Sequence, residues 1–268
     1  MTDKIPLLID TDPGVDDALA LLMAFNDPRH EIVGLTIAAG NVGLQHTVRN
    51  ALKLCEVAGR ADIPVFAGAP APLLHPSPDA GYVHGQDGFG DVGFPPAARQ
   101  AEAGHAALAI LRLSHQHAGQ LLLVALGPLT NIALALKLDP TLPQRVARFV
   151  VMGGAVTCHG NITPAAEFNF YVDPHAAQMV MQLGVPIVLF GLHATHQAVC
   201  TEAHVARIGA LDTIVARAVA GMTGRPRPHA KVRLRIEGHP QHDPSVIAWL
   251  LWPELFSGRD CHVAVETC

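Results

Sequence analysis

Four aspartates stand close together near the beginning of this chain. Asp10 and Asp12 follow a short apolar run, and Asp16 and Asp17 come where an amphipathic pattern begins. Four carboxylates this close repel one another unless positive charge compensates them. A helix N-terminus at Asp16 would contribute only about 1 kcal/mol or less per carboxylate. A hard divalent cation with oxygen ligands, such as Ca²⁺ or Mg²⁺, compensates the charge better, and helix capping by solvated acids is the simpler alternative.

Two known kinds of aspartate motif can be compared with this one. An EF-hand loop is excluded, because its turn glycine would fall at Val15 and its bidentate glutamate at Leu21. The pair Asp10 and Asp12 resembles that of haloacid-dehalogenase-like phosphatases, so a Mg²⁺-dependent phosphohydrolase is one candidate. Those enzymes have Thr or Val two residues after the second aspartate, where this chain has Gly14.

Short apolar runs alternate with longer amphipathic runs along the chain. The strands and helices that these runs predict must position the aspartate side chains. Continuous apolar runs indicate parallel strands that are buried on both faces, and they lie at residues 5–9, 31–37, 63–66, 121–125, 149–152 and 185–190. Helical patterns lie between them at residues 16–26, 44–59, 104–117, 129–138 and 173–183. The rhythm predicts one α/β domain over residues 1–268, with a mostly parallel, doubly wound (Rossmann-like) sheet flanked by helices.

Ligands of such sheets bind beyond the carboxyl ends of the strands. Besides the aspartates, these positions hold Asn41, Leu126 and the glycines at 153, 154 and 191. One edge of the sheet is therefore a candidate site that combines carboxylates, an amide and glycines. The Pro-, Gly- and His-rich loop 69–98 is long for an idle connection, and we expect it to contribute to function.

Composition narrows the class of protein. Half of the 268 residues are apolar (50%) and 15% are charged, which predicts a globular chain with a large core. A net charge of −5 argues against nucleic-acid and membrane-surface partners. No apolar run reaches the roughly 20 residues that span a bilayer. Scattered cysteines without a C-x-x-C pair, and an N-terminus unlike a signal peptide, lead us to expect a reduced, cytoplasmic enzyme.

The string DTDPGVDDALA at residues 10–20 closely resembles the N-terminal signature of the inosine-uridine-preferring nucleoside hydrolases. Other motifs of that family follow in family order: AGN at 39–41, HG at 84–85 with GFG at 88–90, LGPLTN at 126–131, VMGG at 151–154, GN at 160–161, AEFN at 166–169 with DP at 173–174, and HDP at 242–244. The resemblance covers essentially the whole chain, and its motifs are specific in combination.

This resemblance implies a hydrolase that cleaves the N-glycosidic bond of small ribonucleosides with a tightly bound Ca²⁺, releasing ribose and a free base. It also implies a homodimer or homotetramer. The implied metal ligands are Asp12, Asp17, Asp243 and the backbone carbonyl of Leu126.

The resemblance also assigns roles around the substrate. The implied substrate-binding residues are Asp16, Asn41, Asn161, Glu167 and Asn169. Asp12 would be the general base and His242 the general acid, with His84 assisting from its glycine loop. Such residues suit an oxocarbenium-like transition state. From the residues alone, Asn41 could merely make a turn, and Glu167 and Asn169 could form a solvated strand edge.

Two regions depart from the family pattern. Family members continue past a strand near residues 261–266 with a further strand and helix, which this chain, ending at Cys268, would lack. The segment 223–241 lacks the aromatic residues often expected at the nucleobase, and it contains Arg225, Arg227, Arg233 and Arg235. The histidine beside Asp243 favours the pyrimidine-preferring or broad-specificity type. A ribose- and calcium-binding module without turnover is the non-enzymatic alternative.

Overall fold

A six-stranded parallel sheet forms the centre of the computed structural model, which describes residues 4–78, 80–224 and 238–267. Its strands in chain order are β1 (Ile5–Thr11), β2 (His30–Ile37), β3 (Val65–Ala67), β4 (Leu121–Ala125), β5 (Val146–Met152) and β6 (Ile187–Phe190). They lie side by side in the order β3-β2-β1-β4-β5-β6. A small antiparallel pair joins β7 (Val199–Cys200) to β8 (His239–Pro240).

Helices cover both faces of the sheet. Those among the described residues are α1 (Val15–Phe25), α2 (Leu44–Val57), α3 (Gly81–His84), α4 (Ala106–Gln116), α5 (Thr130–Leu138), α6 (Phe168–Val172), α7 (Pro174–Met181), α8 (Leu192–Thr195), α9 (Glu202–Gly209), α10 (Ile214–Thr223) and α11 (His242–Leu251). Short 3-10 helices lie at Leu142–Gln144 and Pro253–Leu255. Helices α1, α2, α10 and α11 pack on one face, and α4, α5 and α7 pack on the other. This is the doubly wound α/β fold that the alternating pattern predicts.

Burial on both faces explains why the strands read as continuous apolar runs. Along β1 the side chains alternate between faces. Leu7 and Ile9 belong to the core under α1 and α11, whereas Leu8 belongs to the core under α4 and α5. The same alternation places Asp10 on the side of Leu8, toward α5. Asp10 therefore lies within the strand on the α5 side, whereas Asp12, Asp16 and Asp17 follow the end of the strand.

The sheet has its topological switch point between β1 and β4. From β1 the chain adds β2 and β3 on one side, whereas β4, β5 and β6 lie on the other side. The connections at a switch point leave in opposite directions and open a crevice at the carboxyl ends of the strands. Helix α1 begins four residues after β1, and it therefore starts at this crevice.

Most predicted elements are present, with ends that differ by three residues or fewer. The prediction of a strand near residues 261–266 is wrong. Residues 257–267 pair with no strand of the described chain and are mostly exposed, and an extended segment without a ladder partner is not a strand. Residues 225–237 of the arginine-rich segment, and Cys268, lie outside the described residues. Every helix in the described ranges is too short or too polar to cross a lipid bilayer.

Candidate active site

Asp17 is fixed by the start of helix α1. Its carboxylate accepts hydrogen bonds from the Thr11 hydroxyl at 2.5 Å, from the backbone N–H of Gly14 at 3.0 Å and from the side-chain amide of Asn41 at 2.9 Å. The first N–H groups of a helix have no partner within the helix, and a carboxylate here also interacts favourably with the helix dipole. The local sequence thus folds so that Asp17 caps the helix and borders the crevice.

Asn41, which follows β2, links two aspartates. Its backbone N–H donates to Asp12 Oδ2 at 2.7 Å, and its side-chain amide donates to Asp17 Oδ2 and to the Asp12 carbonyl. The other carboxylate oxygen of Asp12, Oδ1, is buried and has no hydrogen-bond partner in the described chain. Gly40 and Gly127 lie so close to this carboxylate that a Cβ at either position would overlap it. Asp12 is therefore held by one oxygen while the other remains available to a ligand.

Helix α11 adds a carboxylate from the far end of the chain. The helix packs against α1, and ligand atoms of Asp16, Asp17 and Asp243 all lie within 4.8 Å of one another. Asp16 Oδ1 is buried and has no hydrogen-bond partner among the described residues. The compact group thus contains Asp16 where the resemblance implies Asp12, and Asp12 is joined to it through Asn41. We call Asp12, Asp16, Asp17 and Asp243 the acidic cluster.

Burial opposes the charge of the acidic cluster. It raises the pKa of Asp12 and of Asp243 well above the usual aspartate value, and the neighbouring Asp17 raises both further. Burial and then the charge of Asp16 also raise the pKa of Asp17. A divalent cation would favour the ionised forms. All the candidate ligand atoms are oxygens, and two of them are buried without a hydrogen bond from the described part of the chain. Such a set fits a hard cation.

The start of helix α6 contributes a second group of polar side chains, Glu167 and Asn169. Glu167 caps this helix, and its carboxylate accepts the backbone N–H groups of Asn169 at 2.9 Å, Gly154 at 3.0 Å and Phe170 at 3.1 Å. The Asn169 amide donates to the carbonyl of Leu126 at 2.6 Å. The alternative of a solvated strand edge is wrong for these residues, because Glu167 and Asn169 begin a helix and both are buried.

A cavity of about 150 Å³ connects these groups. Nine of the predicted residues line it: Asp16, Asn41, His84, Leu126, Asn161, Glu167, Asn169, His242 and Asp243. Asp12 and Asp17 lie behind Asn41, to which both are hydrogen bonded. The Asn161 side-chain oxygen accepts the N–H of Phe168 at 2.9 Å. The structure therefore brings together residues from strand ends, from the long loop and from the last long helix.

Two of the three histidines that line the cavity, His84 and His242, are predicted site residues, and each has its Nδ1 in a hydrogen bond. The backbone N–H of Val15 donates to His84 Nδ1 at 3.2 Å, so this nitrogen is an acceptor and the proton of the neutral ring is on Nε2. His242 Nδ1 lies 2.8 Å from the Thr195 hydroxyl. Burial lowers the pKa of His242 to about 4, although the charge of Asp16 opposes the shift.

Asp10 lies apart from the cavity. It is completely buried, and its Oδ2 accepts hydrogen bonds from the Thr36 hydroxyl at 2.6 Å and from the Asn131 amide at 3.0 Å. Burial raises its pKa to about 7. Asp10 is not among the residues that line the cavity. Because the Asp10 carboxylate is turned toward Thr36 and the α5 residue Asn131, a phosphohydrolase mechanism with Asp10 as nucleophile has no access to a substrate there.

The family is now identified by comparison with known proteins. The sequence profile of the family described as inosine-uridine preferring nucleoside hydrolase matches residues 7–268. The chain belongs to this family. It is a hydrolase that acts on the N-glycosidic bond of ribonucleosides, and the resemblance that the motifs indicate is confirmed.

Several relatives match this nucleoside hydrolase over most of its length. An uncharacterized protein of Schizosaccharomyces pombe is 45% identical over 262 residues, which are 97% of this chain and 84% of the relative. The pyrimidine-specific ribonucleoside hydrolase RihA of Salmonella enteritidis is 40% identical over 264 residues, 98% and 85% of the two chains. The solved purine-preferring ribonucleoside hydrolase from Gardnerella vaginalis matches 97% of this chain and 84% of its own, with 32% identity and a TM-score of 0.93.

Sequence reasoning missed some groups around the site of this nucleoside hydrolase. Tyr82, His239 and Gln241 also line the cavity, and Thr195 supports His242 from behind. Tyr82 lies in the long loop in which we expected function. For Thr195 the available signal was weak: it lies a few residues beyond the carboxyl end of β6.

Proposed function

We propose that this nucleoside hydrolase depends on Ca²⁺ and is of the pyrimidine-preferring or broad-specificity type, releasing ribose and a free base. The main support is the meeting of Asp17 with Asp243, more than 200 residues away in the chain, beside oxygens of Asp12 and Asp16 that accept no hydrogen bond from the described residues. Such a group of carboxylates is costly without a cation. Its position at the switch-point crevice, where a substrate binds, links the ion to the substrate.

The residues that would hold the ion are Asp12, Asp17, Asp243 and the Leu126 carbonyl. A carbonyl oxygen has two lone pairs, so Leu126 can accept from Asn169 and still act as a ligand. Ca²⁺ takes six to eight oxygen ligands in flexible geometry, and Mg²⁺ demands a near-octahedral set, so mixed carboxylate, carbonyl and hydroxyl ligands favour Ca²⁺. When bound, the ion supplies positive charge that holds vicinal sugar hydroxyls and makes a water molecule easier to deprotonate.

Ribose binding falls to the polar walls of the cavity. In our proposal Asp16, Asn41 and Asn169 hold the ribose hydroxyls, and Asn161 and Glu167 bind toward the 5′ end. Glycoside hydrolysis develops positive charge on the anomeric carbon and ring oxygen. Oxygens already fixed in place stabilise this charge without reorganisation. The three backbone N–H groups that hold the Glu167 carboxylate support this preorganised role.

Proton transfer is assigned to three side chains. Asp12 takes the proton of the attacking water as general base. This role is supported by its Oδ1, which accepts no hydrogen bond within the described ranges. A nucleobase leaves poorly as an anion, so His242 acts as the donor to the departing base. His84 assists it, because the Val15 amide occupies His84 Nδ1 and leaves an N–H on Nε2.

The proposed preference for pyrimidine bases is supported by the similarity to known nucleoside hydrolases and by the residues that line the cavity. Identity is 40% to the pyrimidine-specific RihA and 32% to the purine-preferring enzyme of Gardnerella vaginalis. Among the described lining residues, the aromatic rings besides histidines are Tyr82 and Phe168. Hydrogen-bonding groups such as Gln241 and His239 also line the cavity, and they suit the carbonyl groups of a pyrimidine.

A metal titration with a nucleoside panel tests the proposal. Chelator-treated protein should release no reducing sugar from uridine, cytidine, inosine or adenosine, and Ca²⁺ should restore hydrolysis, with pyrimidine nucleosides cleaved at least as well as purine nucleosides. A calcium-dependent, ribose-linked rise in melting temperature without product would instead support the binding module. Phosphatase activity with Mg²⁺ through an aspartyl-phosphate would support the phosphohydrolase. Restoration by Mg²⁺ but not by Ca²⁺ would contradict the metal assignment.

A further inference from the structure

Thr195 belongs to none of the motifs that identify the family, yet it touches the proposed proton donor. It is the last residue of α8 and is completely buried. Helix α8 packs against α11, and the Thr195 hydroxyl lies 2.8 Å from Nδ1 of His242. Within the described chain this is the one hydrogen bond that the hydroxyl makes.

The direction of this hydrogen bond follows from the burial of Thr195. A buried hydroxyl proton without an acceptor loses its hydration and gains nothing in return. Nδ1 of His242 is the acceptor that the described residues offer, so the hydroxyl donates to it. A neutral imidazole whose Nδ1 accepts carries its proton on Nε2. Nε2 is then the nitrogen of His242 left for a ligand in the cavity that this residue lines.

We infer that Thr195 is a positioning residue that holds the neutral His242 ring in the Nε2–H form, so that this N–H donates a hydrogen bond to the leaving base as negative charge develops on it. The inference rests on the proposed role of His242. A ring with its proton on Nδ1 would present a lone pair to a base that is gaining negative charge, and the two would repel. His84 has the same protonation pattern through the Val15 amide, so His84 and His242 would present N–H groups by different means.

The test compares two substitutions and two kinds of substrate. Thr195→Val removes the hydroxyl at similar volume, and Thr195→Ser keeps it. On uridine and inosine, Thr195→Val should lower kcat about tenfold to a hundredfold and leave KM within about twofold. On 4-nitrophenyl riboside, whose leaving group needs no proton, kcat should stay within about threefold. Thr195→Ser should recover nucleoside cleavage to within about threefold of the unsubstituted enzyme.

Thr47→Val is the matched control. Thr47 is also completely buried, and its hydroxyl donates to the Ala38 carbonyl at 2.9 Å. This variant should lose stability without distinguishing the two kinds of substrate. Equal losses on nucleosides and on 4-nitrophenyl riboside for Thr195→Val would overturn the inference. So would unchanged nucleoside cleavage, or failure of Thr195→Ser to recover it.

A spectroscopic measurement covers the case in which Thr195→Val does not fold. In ¹⁵N-histidine-labelled enzyme, the His242 ring signals can be assigned by their loss in His242→Gln. Nδ1 should have the shift of an unprotonated nitrogen, and a proton on Nδ1 would overturn the inference. If the unsubstituted enzyme cleaves neither nucleosides nor 4-nitrophenyl riboside, the proposed function fails, and the ring spectrum still decides what Thr195 does to His242.

Discussion

The acidic cluster and the two predicted site histidines, His84 and His242, are held in place in different ways. Asp17 accepts hydrogen bonds from several groups, and Asn41 ties it to Asp12. His84 comes from the long loop and is hydrogen bonded at Nδ1 to the Val15 amide. His242 comes from the start of α11 and is hydrogen bonded at Nδ1 to the Thr195 hydroxyl. We therefore expect large losses from changes in the acidic cluster, whatever the substrate. Changes at the histidines should have smaller effects that depend on the leaving group.

The largest effect is expected for Asp12→Ala. This change removes the proposed base together with part of the metal support, so kcat should fall by about 10⁴-fold or more on nucleosides and on 4-nitrophenyl riboside alike. Initial rates with saturating Ca²⁺ measure it. Asp10→Asn is the matched control, because Asp10 is a buried aspartate of the same motif whose carboxylate contacts Thr36 and Asn131 instead of the acidic cluster. A loss of similar size in Asp10→Asn would show that the loop, rather than the Asp12 carboxylate, carries the effect.

A smaller and selective effect is expected for His242→Ala. Without its proton donor, the enzyme should cleave inosine and uridine about 10² to 10⁴ times more slowly. Cleavage of 4-nitrophenyl riboside should change far less, because nitrophenolate leaves without a proton. Parallel kcat measurements on the two kinds of substrate separate these cases. Equal losses on both would remove His242 from the donor role.

His84→Ala should have a moderate effect. Nucleoside cleavage should slow by about tenfold, and the free energy of unfolding should fall by about 1 kcal/mol because the amide of Val15 loses its acceptor at the start of α1. Steady-state kinetics and urea denaturation measure the two parts. His46→Ala is the control, since His46 is exposed and outside the cavity lining. A faster enzyme, or one with unchanged stability, would contradict the assigned contact.

The smallest effect is a pH-dependent shift in melting temperature. The pKa of Asp10 is raised to about 7, and those of Asp12 and Asp243 are raised too. A carboxyl group whose pKa is higher in the folded state stabilises the fold when protonated, and this stabilisation is lost as the pH rises through the folded pKa. Calcium-free protein should therefore melt a few degrees lower at pH 8 than at pH 6.5.

Calcium sharpens this prediction. Because the ion compensates the acidic cluster, Ca²⁺ should raise the melting temperature more at pH 8 than at pH 6.5. The lowered pKa values of His242 and His196 act in the opposite direction below about pH 6.5, so the comparison stays above that pH. Equal calcium shifts at both pH values, measured by calorimetry, would argue against metal binding by the acidic cluster.

Local sequence predicted the β1–α1 loop well, because a buried strand followed by capping aspartates has few ways to fold. Helix α11 was not predicted, since its apolar residues follow no clear helical stripe. The approach of Asp243 to Asp17 came from family resemblance alone: it depends on the packing of α11 against α1, which no local pattern encodes. The compact group contains Asp16 and not Asp12, and this depends on where the side chains of the β1–α1 loop point, which the sequence pattern does not specify. The contact of the Thr195 hydroxyl with His242 depends on the packing of α8 against α11 and could not be predicted from local sequence either.

The hydrogen bond from the Val15 amide to His84 also bears on how a nucleoside enters. His84 ends a short helix in the long loop, and Val15 begins the helix that carries Asp16 and Asp17. An outward swing of this loop must break the bond and leave the first turn of α1 without its outside acceptor. Admission of a nucleoside by that route would loosen the sugar-binding residues for as long as the entrance is open. When the loop returns, one conformational step would restore both the position of His84 beside the leaving base and the start of the helix that carries Asp16 and Asp17.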